Sequence, residues 1–186
     1  MGLGQARRAA RLLATFPPSL VVSSDLARAT ATAAELAGLT GLPVHRDERL
    51  RETDGGSWQG RLAVEIEAVD AERFRAWRSG ADVRPGGGET RGEVADRAEA
   101  AVREWLAELP DGGVLVVATH GGTARALIGR LLALPTEHWH VLGGLANCSW
   151  SVLEPAGAPS PGPPRWRLTE HNAGTLPEPV AGTDDA

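Results

Sequence analysis

A predicted strand that leads into a helix through one histidine and two glycines constrains the fold most. Residues 114–118 are aliphatic or β-branched and follow a Pro-Asp-Gly-Gly turn, which indicates a strand buried on both faces. His120 and Gly121 come next, and residues 123–132 are predicted to be helical. α/β proteins place their chemistry at this kind of junction, and the free N–H groups at the helix start suit a phosphate. His120 and Gly121 are therefore candidate site residues, although a hydrogen-bonded core histidine is the alternative.

Strands and helices alternate along the chain. The first half is predicted to contain a helix (5–14), a strand (20–23), a helix that Asp25 caps and that runs to about Ala37, and an edge strand (44–46). A lid-like helical stretch (62–78) and a helix after Glu89 follow. The 114–118 strand, its helix and two strands at 147–153 and 165–168 complete the predicted order. Alternation of this kind implies an α/β fold with a mostly parallel sheet between helices. We predict one domain over 1–172 and a loose tail over 173–186, where apolar residues are few.

Composition excludes several classes of function. The net charge is −5 and the 19 basic residues are all scattered arginines, so no nucleic-acid partner is expected. No apolar stretch approaches the ~20 residues that span a bilayer, so no membrane partner is expected either. The single Cys148 excludes an internal disulfide and fits a reducing cytoplasm, and the arginine bias suggests a bacterial genome. His138 and His140 lack further ligands at a matching spacing, so we predict no metal and no cofactor. The oligomeric state stays open.

Four motifs follow one another along most of the chain. They are a strand with a Ser-Ser-Asp-Leu turn and an arginine (20–29), an acidic segment (50–60), Pro-Gly-Gly-Gly-Glu-Thr (85–90), and Thr-His-Gly-Gly (119–122). In this order they resemble the histidine phosphatase superfamily, also called the phosphoglycerate mutase-like family. The resemblance implies a three-layer sandwich with a mostly parallel central sheet. It also implies hydrolysis of a small phosphorylated metabolite through a phosphohistidine intermediate.

The resemblance assigns roles to three residues, and their chemistry is suited to those roles. Arg28 would bind the phosphate, because a planar guanidinium can hold two phosphate oxygens. His120 would be the second active-site histidine and stabilise the charge of the transferring phosphoryl group. Glu52 would protonate the leaving alkoxide. The alternatives are a surface arginine that pairs with Asp25 and a solvated glutamate in a charged loop.

The sequence contains no Arg-His-Gly. In the family that this chain resembles, the first strand ends in Arg-His-Gly, and its histidine is the nucleophile. The segment from Met1 resembles the helix that follows that strand, so the first strand is predicted to be absent and the chain inactive as written. We expect a start site assigned too far downstream, because Arg28, Glu52 and His120 are present and loss of a central strand would leave backbone unpaired. The alternatives are a catalytically dead protein that binds a phosphorylated ligand and a phosphoglycerate mutase-type enzyme.

Overall fold

A computed structural model describes residues 2–157 and 165–174. The α-helices within these ranges are α1 (Gly2–Leu13), α2 (Ala27–Thr40), α3 (Ala63–Arg78), α4 (Arg91–Ala107) and α5 (Gly121–Leu131). The strands are β1 (Leu20–Ser23), β2 (Val44–Arg46), β3 (Leu115–Ala118), β4 (Trp150–Pro155) and β5 (Trp166–Ala173). Short 3-10 helices lie at Glu48–Leu50, Gly56–Trp58, Pro85–Gly87 and Thr136–Val141.

The central sheet is parallel and has the strand order β2-β1-β3. In its register Val21 of β1 lies between Val44 of β2 and Val116 of β3. The strands β4 and β5 form a separate antiparallel pair. The predicted α/β architecture with a parallel sheet is confirmed, and His45 lies on an edge strand as expected.

Helices cover both faces of the sheet because alternate residues of β1 point in opposite directions. Val22 packs with residues of α4 and α5, and Val21 packs with residues of α1 and α2. Many of these partners are alanines, which let the helices approach the sheet closely. The first cluster includes Ala98, Ala101 and Leu127, and the second includes Ala10, Ala33 and Leu36. The three-layer arrangement follows from this packing.

The strand predicted to be buried on both faces, β3, is only half-buried. β1 has the same apolar character and is almost completely buried, because it pairs on both edges, whereas β3 pairs only with β1 among the described residues. An apolar sequence therefore predicts the strand but not how far its neighbours cover it.

Two predicted features of α2 are wrong. Asp25 does not cap it: the residue before the helix is Leu26, without a side-chain cap, and Asp25 accepts a hydrogen bond from Arg51 at 2.8 Å instead. The helix also continues through Gly38, which is exposed and has no steric conflict there. It ends at Gly41, which adopts a φ of 74° and donates to the Ala37 carbonyl at 2.8 Å, as glycines at helix ends commonly do.

The C-terminal strands differ from their predicted bounds. β4 begins at Trp150 because the three residues before it form a turn in which Cys148 has a φ of 56°. β5 continues to Ala173, the first residue of the segment predicted to be a loose tail. Most of the proline-rich loop, 158–164, and the rest of the tail, 175–186, lie outside the described residues. The single domain over 1–172 stays a prediction.

None of the described helices combines the length and apolar character needed to cross a membrane. The cytoplasmic location stays a prediction.

Substitution of Gly129 should destabilise the protein, although glycine is normally unfavourable in a helix. A Cβ at Gly129 would lie 2.5 Å from Cδ1 of Trp139, a side chain that is only 2% exposed. We expect Gly129→Ala to lower the free energy of unfolding by about 1–3 kcal/mol through overpacking. Gly38→Ala is the matched control, because nothing lies within 4 Å of its Cβ position. That variant should gain about 0.4–1 kcal/mol. Urea unfolding measures both, and a gain for Gly129→Ala would contradict this packing.

Candidate active site

The carboxyl ends of β1 and β3 bring the predicted site residues together. Arg28 lies at the start of α2, after β1, and His120 follows β3. Glu52 lies in the loop after β2. Because the three strands are parallel, the residues after them meet at one edge of the sheet. All three predicted side chains therefore surround the first turn of α5.

His120 is buried, with 7% of its surface exposed, and both ring nitrogens are engaged. Its Nδ1 accepts a hydrogen bond from Nε of Arg28 at 3.1 Å, and its Nε2 lies 2.9 Å from Oγ of Ser24. A guanidinium can only donate, so Nδ1 carries no proton, and we assign the proton to Nε2, which donates to Ser24. Burial and then the charge of Arg28 lower the pKa of His120, which favours this neutral ring.

Ser24 is a site residue that the sequence analysis did not single out. It is completely buried and follows β1, where the Ser-Ser-Asp-Leu turn of the family resemblance places a serine. Its hydroxyl fixes the tautomer and orientation of the His120 ring. The sequence signal that could have identified Ser24 is its position, since it is a polar residue directly after a buried strand.

Acidification should destabilise the fold through His120. In the unfolded chain the ring takes up a proton near its ordinary pKa of 6.5, but in the folded protein only at lower pH. The unfolded state therefore binds more protons between these values, and the free energy of unfolding falls as the pH drops below about 6.5. We expect His120→Gln to reduce this fall when urea unfolding is compared at about pH 7.5 and pH 5.5. His138→Gln, an exposed position, is the control and should keep the wild-type slope. Equal slopes for the two variants would contradict the assignment.

The Glu52 carboxylate is held at the amino end of α5. It accepts hydrogen bonds from the backbone N–H groups of Gly122 at 3.2 Å, Thr123 at 3.1 Å and Thr53 at 2.9 Å. A helix start favours a negative charge, which explains why this loop carboxylate docks there. A Cβ at Gly122 would lie 2.6 Å from Oε1 of Glu52, so a larger residue there would displace the carboxylate from this position. The glutamate is thus part of the site and not a solvated charge.

This arrangement corrects one expectation about α5. The N–H groups expected to be free for a phosphate at the helix start are partly taken, since those of Gly122 and Thr123 bind Glu52. Gly121 begins the helix beside His120, and its role in phosphate binding stays a prediction. Arg28 does not pair with Asp25, the alternative considered for it, because Asp25 binds Arg51.

Arg97 fixes the loop that carries Glu52, and sequence reasoning missed it. Its guanidinium donates to the carbonyl oxygens of Arg49 at 2.6 Å, Arg51 at 2.8 Å and Glu52 at 3.2 Å. It also forms a two-point ion pair with Glu89, with both distances 2.8 Å. Arg97 lies in the middle of α4, and nothing in the local sequence distinguishes it from an ordinary surface arginine on a helix. Only the tertiary structure brings it to the loop.

Glu89, which belongs to the Pro-Gly-Gly-Gly-Glu-Thr motif, also supports the loop that carries Glu52. The adjacent Arg97 guanidinium lowers the pKa of Glu89, so the carboxylate is ionised at neutral pH. Oε2 of Glu89 also accepts from the backbone N–H of Asp54 at 2.9 Å, two residues after Glu52. The motif therefore holds the acidic loop in place and does not itself reach His120.

The remaining histidines lie apart from the site. His45 packs against Trp105 with a ring separation of 5.0 Å, and His171 lies 3.0 Å from Oγ of Ser151. His138 and His140 lie in the 3-10 helix Thr136–Val141. In the part of the chain that the structure describes, no group of three or more histidine, cysteine or acidic side chains is placed to hold a metal ion. The absence of a metal and a cofactor stays a prediction.

Comparison with known proteins bears on what this site does. The model of the histidine phosphatase superfamily (branch 1) matches residues 1–161. The chain belongs to this superfamily. A glucosyl-3-phosphoglycerate phosphatase of Mycolicibacterium vanbaalenii is 43% identical in an alignment that covers 93% of this chain and 82% of the relative. Family and relative together support a phosphatase, as the motifs predicted.

Solved structures agree with this assignment. The native structure of a mycobacterial glucosyl-3-phosphoglycerate phosphatase has a TM-score of 0.86 and 42% identity, covering 94% of this chain and 86% of the other. A complex of that enzyme with inorganic phosphate has a TM-score of 0.85 and 42% identity, covering 92% and 85%. The phosphoglycerate mutase-like fold is thereby confirmed.

Proposed function

We propose that this protein hydrolyses a small phosphorylated sugar acid of the glucosyl-3-phosphoglycerate type. The observation that carries the proposal is the convergence of Arg28, His120 and Glu52 at the carboxyl edge of the parallel sheet. A phosphomonoester needs a cationic ligand for its oxygens, a hydrogen-bond donor for the charge of the transition state and a proton donor for the leaving group. The three side chains offer these properties. The substrate is suggested by the name of the relative from Mycolicibacterium vanbaalenii.

Arg28 and His120 suit the binding of the phosphoryl group. Arg28 is exposed and uses one N–H on His120, so most of its five donors are available for phosphate oxygens. His120 carries a proton on Nε2, and a shift of that bond from Ser24 to a phosphoryl oxygen would stabilise the developing charge. The exposed Arg28 thus binds the phosphate oxygens, and the buried His120 provides a second, fixed hydrogen-bond donor to the same group.

Glu52 suits the role of proton donor to the leaving alkoxide. Both of its oxygens accept hydrogen bonds at the start of α5, so proton donation requires the carboxylate to take up a proton first and then to turn that oxygen towards the substrate. Its support by Arg97 and Glu89 keeps the loop backbone in place while the carboxyl group moves. A sugar-acid alkoxide is a poor leaving group, and proton donation of this kind contributes about 10²–10⁴ in rate.

The phosphohistidine step is the part of the mechanism for which this sequence lacks a residue. The family resemblance assigns it to the histidine of an Arg-His-Gly segment, and the 186 residues contain none. The alternative function is that of a protein that binds a phosphorylated ligand through Arg28 and His120 without turnover. A mutase reaction is less well supported, because the phosphatase of Mycolicibacterium vanbaalenii is 43% identical and covers 93% of this chain, whereas a probable phosphoglycerate mutase of Salmonella newport is 34% identical and covers 72% of it.

One experiment separates these functions. The 186-residue chain is compared with a form preceded by a designed strand that ends in Arg-His-Gly. Binding of inorganic phosphate is measured by calorimetry, and release of phosphate from glucosyl-3-phosphoglycerate is followed in parallel. We expect both forms to bind phosphate. Turnover supports the phosphatase, and binding without turnover in both forms supports the second candidate. Hydrolysis by the chain as given would overturn the second candidate, and absence of phosphate binding in both forms would overturn both functions.

Substitution of Glu52 tests the proton donor in whichever form turns over. We expect Glu52→Gln to lower kcat on glucosyl-3-phosphoglycerate by about 10²–10⁴, because the alkoxide then leaves without a proton. p-Nitrophenyl phosphate should be affected far less, since its leaving group is stable as an anion. Glu154→Gln, an exposed carboxyl on β4, is the control. An equal loss on both substrates would exclude a proton-donor role for Glu52.

A further inference from the structure

Arg125 is a cation on α5 that the site described so far does not use. Its Nε is buried and has no hydrogen-bond partner, and within 2–157 and 165–174 the guanidinium forms no salt bridge. Arg125 as a whole is only half-buried, but a buried N–H donor without a partner is costly, and most proteins hydrogen-bond such groups. An arginine near the site whose buried Nε has no partner is therefore a candidate to bind an anionic ligand.

A second guanidinium, that of Arg91, lies at the start of α4, the helix that packs against α5 through Val94, Ala95 and Ala126. It donates to the carbonyl oxygens of Trp77 at 2.6 Å and Ala81 at 2.8 Å, and it lies 5.1 Å from the ring centroid of Trp77. These contacts hold its position but leave further N–H donors free. Burial first, and then the positive charge of Arg125, lower the pKa of Arg91, while Asp82 opposes this shift more weakly. Arg91 and Arg125 thus lie on two packed helices, near the contact of residues 94 and 95 with residue 126, and their positive charges disfavour each other.

This pair lies close to the proton donor. Arg125 follows Gly121 by four residues, which is about 6 Å along a helix axis. Gly121 and Gly122 form the first turn of α5, where Glu52 is bound. The segment 143–145 passes over the same helix, and a Cβ at Gly144 would lie 2.9 Å from Nη2 of Arg125. The absence of a side chain at Gly144 lets the backbone pass close to this guanidinium.

A phosphorylated sugar acid has a second negative group that matches this placement. In a 3-phosphoglycerate unit the carboxylate is separated from the phosphate-ester oxygen by two carbon atoms. We propose that Arg91 and Arg125 form a carboxylate-binding site beside the phosphate site. The proposal rests on the proposed function and deepens it, since it assigns the discrimination between a sugar acid and a neutral phosphate ester. The planar guanidinium suits a carboxylate, and an anion between the two cations would also relieve their repulsion.

The test compares two ligands that differ mainly in the carboxylate. Calorimetry measures binding of 3-phosphoglycerate and of glycerol 3-phosphate to the 186-residue chain. We expect the wild type to bind 3-phosphoglycerate about tenfold or more tightly, consistent with a charge-assisted hydrogen bond. Arg125→Gln should remove this preference and leave the affinity for glycerol 3-phosphate unchanged. Arg103→Gln is the control, because Arg103 lies on α4 and pairs with Glu99.

Each outcome decides the matter. Equal affinity of the wild type for the two ligands overturns the carboxylate site while the phosphate site stands. An equal loss of both ligands in Arg125→Gln shows that Arg125 supports the phosphate site or the fold, and also overturns it. Absence of binding of either ligand to the wild type removes the proposed function and this inference together. If Arg125→Gln does not fold, Arg125→Lys takes its place, since lysine keeps the charge without the planar guanidinium. This variant should keep part of the preference for 3-phosphoglycerate. A fully retained preference, or loss of affinity for both ligands, would contradict the proposal.

Discussion

The parallel pairing of β1 with β3 is the interaction on which the site depends. Val22 lies opposite Val117 and Ser23 opposite Ala118, so the residues that follow the two strands leave the sheet side by side. One strand delivers Ser24 and, a few residues on, Arg28, and the other delivers His120. Their contacts at 3.1 Å and 2.9 Å then follow from the register. A shift of the register by one residue would reverse the faces of β1 and separate these groups.

Charged groups hold Glu52, the third predicted site residue, in place. Glu52 comes from an irregular loop, which has no ladder of backbone hydrogen bonds of its own. Arg97 of α4, which is paired with Glu89, binds carbonyl groups of that loop, and the amino end of α5 binds the carboxylate. The acidic loop is therefore clamped between two helices. These contacts explain how an irregular loop can place the Glu52 carboxylate beside the ends of β1 and β3.

Much of the fold was predictable from the sequence, because its helices and strands have clear periodic patterns. The bounds of β1 and β2 and the family were predicted correctly, since buried strands and specific motifs leave strong local signals. The errors are at places where a local rule competes with a tertiary contact. Asp25 is a good helix cap by type, yet it pairs with Arg51. Gly38 is a residue type that often ends a helix, yet α2 continues through this exposed position and ends at Gly41.

The sequence by itself determined which chemical groups are available: Arg28, Glu52 and His120 on an α/β framework, each with a suitable functional group. Only the tertiary structure decided how they are used. It showed that Glu52 occupies the helix start expected to hold phosphate, that Ser24 sets the tautomer of His120, and that Arg97 supports the loop. The physical reason is that local patterns report periodicity and residue type, whereas hydrogen-bond partners and burial depend on contacts between segments far apart in the chain.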